Sequence, residues 1–326
     1  MNFSKKTKIV FAIVIFVLVA MIGAAFWSYR SIEKIAETPF DTGQPKIFFE
    51  IPEGSSKQYV SKELQGKGLI SSTLAFDFFS RLNQKPFKAG FWEIPEKVSI
   101  FDLIRFFTTG ENFIERVTIP EGWRREQIGR ALEKKNIVTE SSFDSASSSY
   151  EGQLFPATYF IKPGTPAADI VQMMVKEFYD QTQGLEVSDD DIILASIVER
   201  ETDRAEEKSI IAGIYFNRLK IDMKLQADPT GIYAKDTIAY NALARSDKID
   251  YLFWKAISIS ELNSLSLPYN TYYSFGLPEG PICNPSLETL KAVKNYQKTD
   301  YLYFQHVKGV FYPAKTYAEH LANGKK

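Results

Sequence analysis

The stretch LASIVERETD, residues 194–203, closes an apolar run with two glutamates and a single arginine between them. Glu199 and Glu201 are the residues whose type and spacing best suit acid–base chemistry. A helix advances about 100° per residue, so Ile193, Leu194, Ile197 and Val198 would share one face. Glu201 comes four residues after Ile197 and seven after Leu194, inside that apolar stripe. Glu199 points nearly the opposite way, beside Ala195, Ser196 and Asp203, where a solvated face or a supporting hydrogen bond is expected. A carboxyl among apolar neighbours resists ionisation, so its pKa rises. If still protonated near neutrality, it can serve as general acid toward a poorly basic leaving oxygen, as glycosidic cleavage requires. The alternative is an ion pair at the helix end, with Arg204 or Arg218 as partner. Periodicity alone does not choose between the two.

The rest of the composition narrows the chemistry. The 326 residues allow two or three domains, and a net charge of −1 gives no reason to expect nucleic acid as a partner. One cysteine, Cys283, excludes an internal disulfide. Two histidines, His306 and His320, stand apart from any Cys/His cluster, so neither a metal site nor a cofactor is expected.

Residues 9–27 carry no charge and follow Lys5, Lys6 and Lys8. About 20 apolar residues span a bilayer, and Trp27, Tyr29 and Arg30 supply interfacial anchors. Residues 1–30 thus read as a cytoplasmic end and a transmembrane helix that places the remainder outside the cytoplasmic (inner) membrane. A cleaved signal peptide would have a shorter apolar core, of about 7–15 residues.

Two segments repeat one another: IPEGSSKQYVSKELQGKGLI from Ile51 and IPEGWRREQIGRALEKKNIV from Ile119. Val60 aligns with Ile128, Leu64 with Leu132, Leu69 with Ile137 and Ile70 with Val138. Each copy reads as a short strand, a turn at Pro-Glu-Gly and an amphipathic helix. After a polar linker at 31–46, the region 47–115 adds a helix at 73–83, then a strand, a turn and another helix. Its strand–helix–helix–strand order resembles a LysM-like α/β module, a small fold often used on peptidoglycan; a plain spacer is the alternative. Residues 116–326 read as an α+β domain with long loops. Helices are expected at 167–181, 189–202, 206–219 and 286–295, a hairpin around Lys308 and Gly309, and irregular chain through MKLQADPTGIYA and LPYNTYYSFGLPEGPICNPS. Gly152, Phe155, Pro156, Thr158 and Tyr159 are expected to dock an aromatic segment onto the following elements.

Four blocks carry a further resemblance: LASIVERET, AGIYFNRLKIDMKLQADPTGIYA, PYNTYYSFGLPEGPICNPSLETLKA and TDYLYF. In order, spacing and content they resemble the endolytic murein transglycosylase (MltG/YceG-like) family across roughly residues 152–320. The resemblance implies cleavage of peptidoglycan glycan strands between N-acetylmuramic acid and N-acetylglucosamine, leaving 1,6-anhydro ends and terminating strand elongation. It implies that Glu201, the glutamate followed by Thr202, is the catalytic acid and base, with no metal or cofactor. It also implies a cell-wall synthase as partner. Glu199, Asn217, Arg218, Gln226, Asp228, Tyr269, Asn270 and Thr271 offer charged, amide and hydroxyl groups for sugar contacts. Asp228 and Thr230 also suit a helix cap, and Arg218 a structural ion pair. The sequence departs from the family at Glu279, where a proline is common, and after the last hairpin, where Phe311 and Pro313 stand in place of a His and a Phe. Two other readings stay open: a muramidase pairing Glu201 with a second carboxylate such as Asp228, and a non-catalytic glycan-binding scaffold.

Overall fold

Helix α1 (Lys5–Glu37) opens the chain in the computed structural model, which describes residues 5–248 and 250–326. Residues 1–4 of the expected cytoplasmic end lie outside the described residues. Among those described, α1 is the one helix long and apolar enough to cross a membrane, and its large apolar side chains from Phe11 to Trp27 are exposed. The helix does not stop where the apolar run stops. It continues to Glu37, and β1 (Phe40–Ile51) begins soon after, so the irregular linker expected at 31–46 is not formed. Packing explains the difference: Ala36 is buried, and Ile32 half-buried, in a core that includes Phe49, Leu64, Trp92 and Phe107.

The chain divides into two compact units, residues 1–115 and 116–326. In the first, β1 turns at Pro52-Glu53-Gly54 into α2 (Lys57–Gly66), followed by α3 (Thr73–Leu82), β2 (Gly90–Val98), α4 (Ile100–Thr109) and the start of β3 (Phe113–Thr118). Ser56, Ser72 and Ser99 start the three helices by accepting a backbone N–H from the first turn of each. β1 and β2 pair antiparallel from Ile51↔Gly90 to Phe40↔Val98, with an irregularity between Asp41 and Lys46. β2 pairs with β3 at Phe91↔Ile114 and Trp92↔Phe113. One face of this sheet buries Phe49, Ile51, Trp92 and Ile94 against α2 to α4.

In the second unit the chain passes the second Ile-Pro-Glu-Gly turn into α5 (Arg125–Lys134), α6 (Glu140–Ser147), β4 (Thr158–Ile161) and α7 (Ala167–Gln181). Helix α6 lies in a polar, serine-rich stretch, where Thr139 caps it and Phe143 anchors it, fully buried. Segment 152–159 docks as its composition predicts: Phe155 enters the core around α8 (Asp189–Glu201), and a side chain at Gly152 would come within 2.6 Å of Ile192 and Pro281. After α8 come α9 (Ala205–Lys220), α10 (Asp228–Ala242), α11 (Arg245–Lys248), α12 (Ile259–Ser264), α13 (Leu287–Lys294), the β5 (Tyr303–Val307) and β6 (Val310–Ala314) hairpin, and α14 (Tyr317–Asn323). The α10 helix corrects the expectation of irregular chain beyond Ala227. Pro229 sits in its first turn, where no intrahelical N–H is needed. The hairpin turns on Lys308 and Gly309 at φ +50 and +78, the left-handed pair that a tight two-residue turn requires.

Helix α8 packs against α9, α10 and α13. Every residue from Ile192 to Val198 is buried, including Ala195 and Ser196 on the face expected to meet water. The molecule is thus α+β, with its most enclosed helix carrying both glutamates.

Candidate active site

Helix α8 begins with a reciprocal cap between Ser188 and Asp191, and Asp189, Asp190 and Asp191 complement the positive end of its dipole. At the other end Thr202 turns extended, at φ −154 and ψ 145, leaving Glu201 as the last helical residue. A carboxylate at a helix C-terminus faces unsatisfied carbonyls, which disfavour its charge. The Tyr215 hydroxyl on α9 donates to Glu201 Oε1 at 2.6 Å. Burial, reinforced by the negative charge of Asp228, pushes the Glu201 carboxyl up to about 7; the Tyr215 hydrogen bond and the Arg218 charge pull the other way without prevailing. Burial and the neighbouring Glu201 in turn hold the Tyr215 phenol well above its ordinary value, so it acts as a fixed donor.

The ion pair weighed as an alternative is absent: among the described residues Glu201 has no basic partner within salt-bridge distance. Arg204 instead meets Glu207 at 3.1 Å. Arg218, buried, donates from Nε to the Leu302 carbonyl at 2.6 Å and from Nη1 to the Leu225 carbonyl. It influences Glu201 only through space.

Glu199 has a different environment, and the expectation of a solvated face is corrected. Its Oε2 accepts from the Ser286 amide at 3.0 Å, the Ser286 hydroxyl at 2.8 Å and the Thr289 hydroxyl, while Oε1 lies 3.6 Å from Lys208 Nζ. Glu199 therefore ties α8 to the start of α13. Its hydrogen bonds are internal and supporting, the second of the two roles its position suggested.

The other expected contact residues divide in the same way. Asp228 accepts from the Tyr272 hydroxyl at 2.6 Å, and both act electrostatically on Glu201 or are acted on by it. Asn270 and Thr271 are fully buried. Asn270 Nδ2 donates to the carbonyls of Leu262 and Leu265 at 2.7 and 2.8 Å. Thr271 Oγ1 sits 2.9 Å from Thr230 Oγ1 and accepts the Ala227 amide at 2.9 Å, pinning its loop to the start of α10. Asn217 donates to the carbonyls of Thr299 and Tyr301 at 2.7 and 3.0 Å. These three amide and hydroxyl side chains are committed to internal hydrogen bonds that hold loops in place. Gln226 is exposed in a left-handed turn at φ +46, and half-buried Tyr269 leans on Tyr233 with ring centroids 4.9 Å apart.

A cleft of about 410 Å³ opens beside Glu201, lined by residues 199–204, His306 and Gly309. The hollows of the first unit, beside residues 31–40 and along α3, bring no comparable acid–base cluster together. Two residues beside the cleft, Tyr215 and Glu207, are not among those the sequence singles out. Tyr215 lies one helical turn before Arg218 on α9, a spacing that could have flagged it. Glu207 accepts from Thr202 Oγ1 at 2.7 Å and lies 2.8 Å from His306 Nε2. Burial opposes the charge of Glu207, but hydrogen bonds with His306, Thr202 and Arg204 overcome it and hold the pKa low. That contact joins α9 to β5 and has no short-range signature. Among the described residues no group of His, Cys, Asp and Glu is placed to hold a metal ion. What the cleft offers is a single carboxyl that titrates near neutrality, held by one tyrosine.

Known proteins share this chain's plan. Two relatives named endolytic murein transglycosylase, from Streptococcus pneumoniae serotype 2 and Bacillus subtilis, are 28% and 30% identical over 87% of the chain. The chain spans 59% of the length of the first and 84% of the second. A crystal structure of a yceG-like protein from Listeria monocytogenes superposes with a TM-score of 0.54 at 28% identity, covering 85% of this chain and 98% of that one. The profile of the YceG-like family matches residues 49–326, and the chain belongs to that family.

Proposed function

We propose that this chain is an endolytic murein transglycosylase that cuts peptidoglycan glycan strands between N-acetylmuramic acid and N-acetylglucosamine. One observation carries the reading: Glu201, its carboxyl pushed up to about 7 by burial, lines an open cleft and has no basic partner within salt-bridge distance among the described residues. Protonated Glu201 donates its proton to the glycosidic oxygen as the C1–O bond breaks. The resulting carboxylate, stabilised by Tyr215, then takes the proton of the muramic C6 hydroxyl as that oxygen attacks C1. The products are a 1,6-anhydromuramic end and a free hydroxyl on the leaving sugar, and Glu201 returns to its starting form. Burial, reinforced by the charge of Asp228, keeps the acid protonated before the first step. The names of the Streptococcus and Bacillus relatives support the same substrate and reaction.

In this reading α1 spans the cytoplasmic membrane and residues 116–326 work outside it. Residues 47–115 serve as the LysM-like module, supported by the β1-α2-α3-β2 order and antiparallel pairing. A peptidoglycan synthase is the partner that a strand-terminating cut implies. Mass spectrometry of digested strands tests the reaction. Anhydro ends are expected; reducing ends would mean a muramidase using Asp228 as second carboxylate, and intact strands would mean a scaffold.

A further inference from the structure

Arg200, between the two glutamates, lines the same cleft and differs from every other cation there. Arg204 pairs with Glu207, and Lys208 behind the wall pairs with Glu199 and Glu288. No carboxylate lies within salt-bridge distance of Arg200 among the described residues, and its Nε is buried without a hydrogen-bond partner. The nearby charge of Glu199 acts on it only through space, and Asp203, also in the cleft wall, is exposed. What holds Arg200 is packing. Its guanidinium lies 4.3 Å from the centre of the Trp254 ring. A side chain at Gly122 would meet Nη1 at 3.1 Å and Cδ at 3.3 Å, so glycine, at φ +70, lets the backbone close over it. A cation fixed by an aromatic face and a glycine keeps its N–H groups uncommitted, and a half-buried guanidinium with its Nε unpaired is unfavourable until an anion arrives.

We propose that Arg200 is a carboxylate-binding residue of the substrate cleft, recognising an anionic group carried by the muramic residue beside the bond that Glu201 cleaves. The proposal rests on the glycan-strand reading above. The carboxylate has two sources: the stem peptide, or the lactyl group of a peptide-free strand. Its chemistry fits a planar fork that binds carboxylates through paired hydrogen bonds.

The test is binding by the full-length chain in detergent micelles carrying Glu201→Gln, with and without Arg200→Met. Three tetrasaccharides serve as probes: a peptide-bearing murein fragment, its peptide-free counterpart, and chitotetraose, which has no carboxylate. Arg200→Met should weaken binding of at least one carboxylate-bearing probe by roughly tenfold or more and leave chitotetraose unchanged. Whichever murein probe loses affinity identifies the source. Arg200→Lys, which keeps the charge without the planar fork, should fall between. Equal losses on all three probes, or no loss on any, would overturn the proposal, and near-UV circular dichroism separates an unfolded variant from either. If Glu201→Gln alone binds neither murein probe, the glycan-strand reading itself fails.

Discussion

Glu199 and Glu201 stand two residues apart on one helix and have opposite surroundings. Glu199 accepts three hydrogen bonds and lies near a buried lysine, so its side chain is held in place. Glu201 receives one hydrogen bond from Tyr215, has no ion pair among the described residues and faces an open cleft. The difference shows how a protein divides structural and chemical work between identical side chains. Many donors fix a carboxylate; few donors and burial leave one free to exchange a proton.

The largest expected effect comes from removing the free carboxyl. Glu201→Gln should lower strand cleavage by roughly 10²–10⁴-fold or more, because the amide can neither give nor take the catalytic proton. The same variant should be no less stable. The folded pKa of about 7 lies above the ordinary 4.5, so wild type loses stability as pH rises through that window, and the glutamine variant does not. At pH 8 the variant should lead by up to about 3 kcal/mol, with the lead vanishing near pH 4. Urea denaturation at the two pH values measures it. A folded variant that still cuts at a near-normal rate would erase the distinction between the two glutamates.

Glu199→Gln should reverse that pattern. It leaves Lys208, 3% exposed, with only the outlying Glu288 as ion-pair partner among the described residues, and it weakens the hold on Ser286 and Thr289. The expected loss is roughly 3 kcal/mol, the lower end for breaking a buried ion pair because Glu288 remains. Urea denaturation reads the loss directly, and activity per folded molecule should fall far less than for Glu201→Gln. An equally inactive but fully stable Glu199 variant would move the acid two residues back.

How much of this was legible depended on range. The apolar stripe placed Glu201 correctly, and strong local periodicity placed α7 and the β5–β6 hairpin. Periodicity shows which face a residue occupies, but not that residues 192–198 of α8 are covered on every side, so it leaves Glu199 open between a solvated face and a supporting hydrogen bond. The stretch at 31–46 looked like a linker because its few anchors, Ile32 and Ala36, make sense only against a core contributed by later residues. The two Ile-Pro-Glu-Gly copies show the same limit. Gly54 and Gly122 share a left-handed backbone, at φ +75 and +70, but a side chain at Gly54 would meet nothing within 4 Å while one at Gly122 would meet Arg200. Sequence reveals the repeated turn; only the three-dimensional neighbours reveal that one copy closes over a cleft residue.

The smallest effect should come from the one donor that Glu201 does have. Tyr215→Phe removes the hydrogen bond at 2.6 Å while keeping the ring that packs edge-on against Phe304, at a centroid distance of 6.0 Å. That bond favours the charged carboxylate, so its loss must raise the Glu201 pKa further above about 7. Cleavage needs the protonated acid first, so activity should survive to higher pH: the alkaline limb of kcat/KM should move up by about one pH unit. The second half of the reaction needs the carboxylate, which now lacks its donor, so kcat should fall severalfold. A pH profile of the variant against wild type reads both changes at once. An alkaline limb that stays in place would mean that Tyr215 only packs, and that Glu201 owes its position to burial alone.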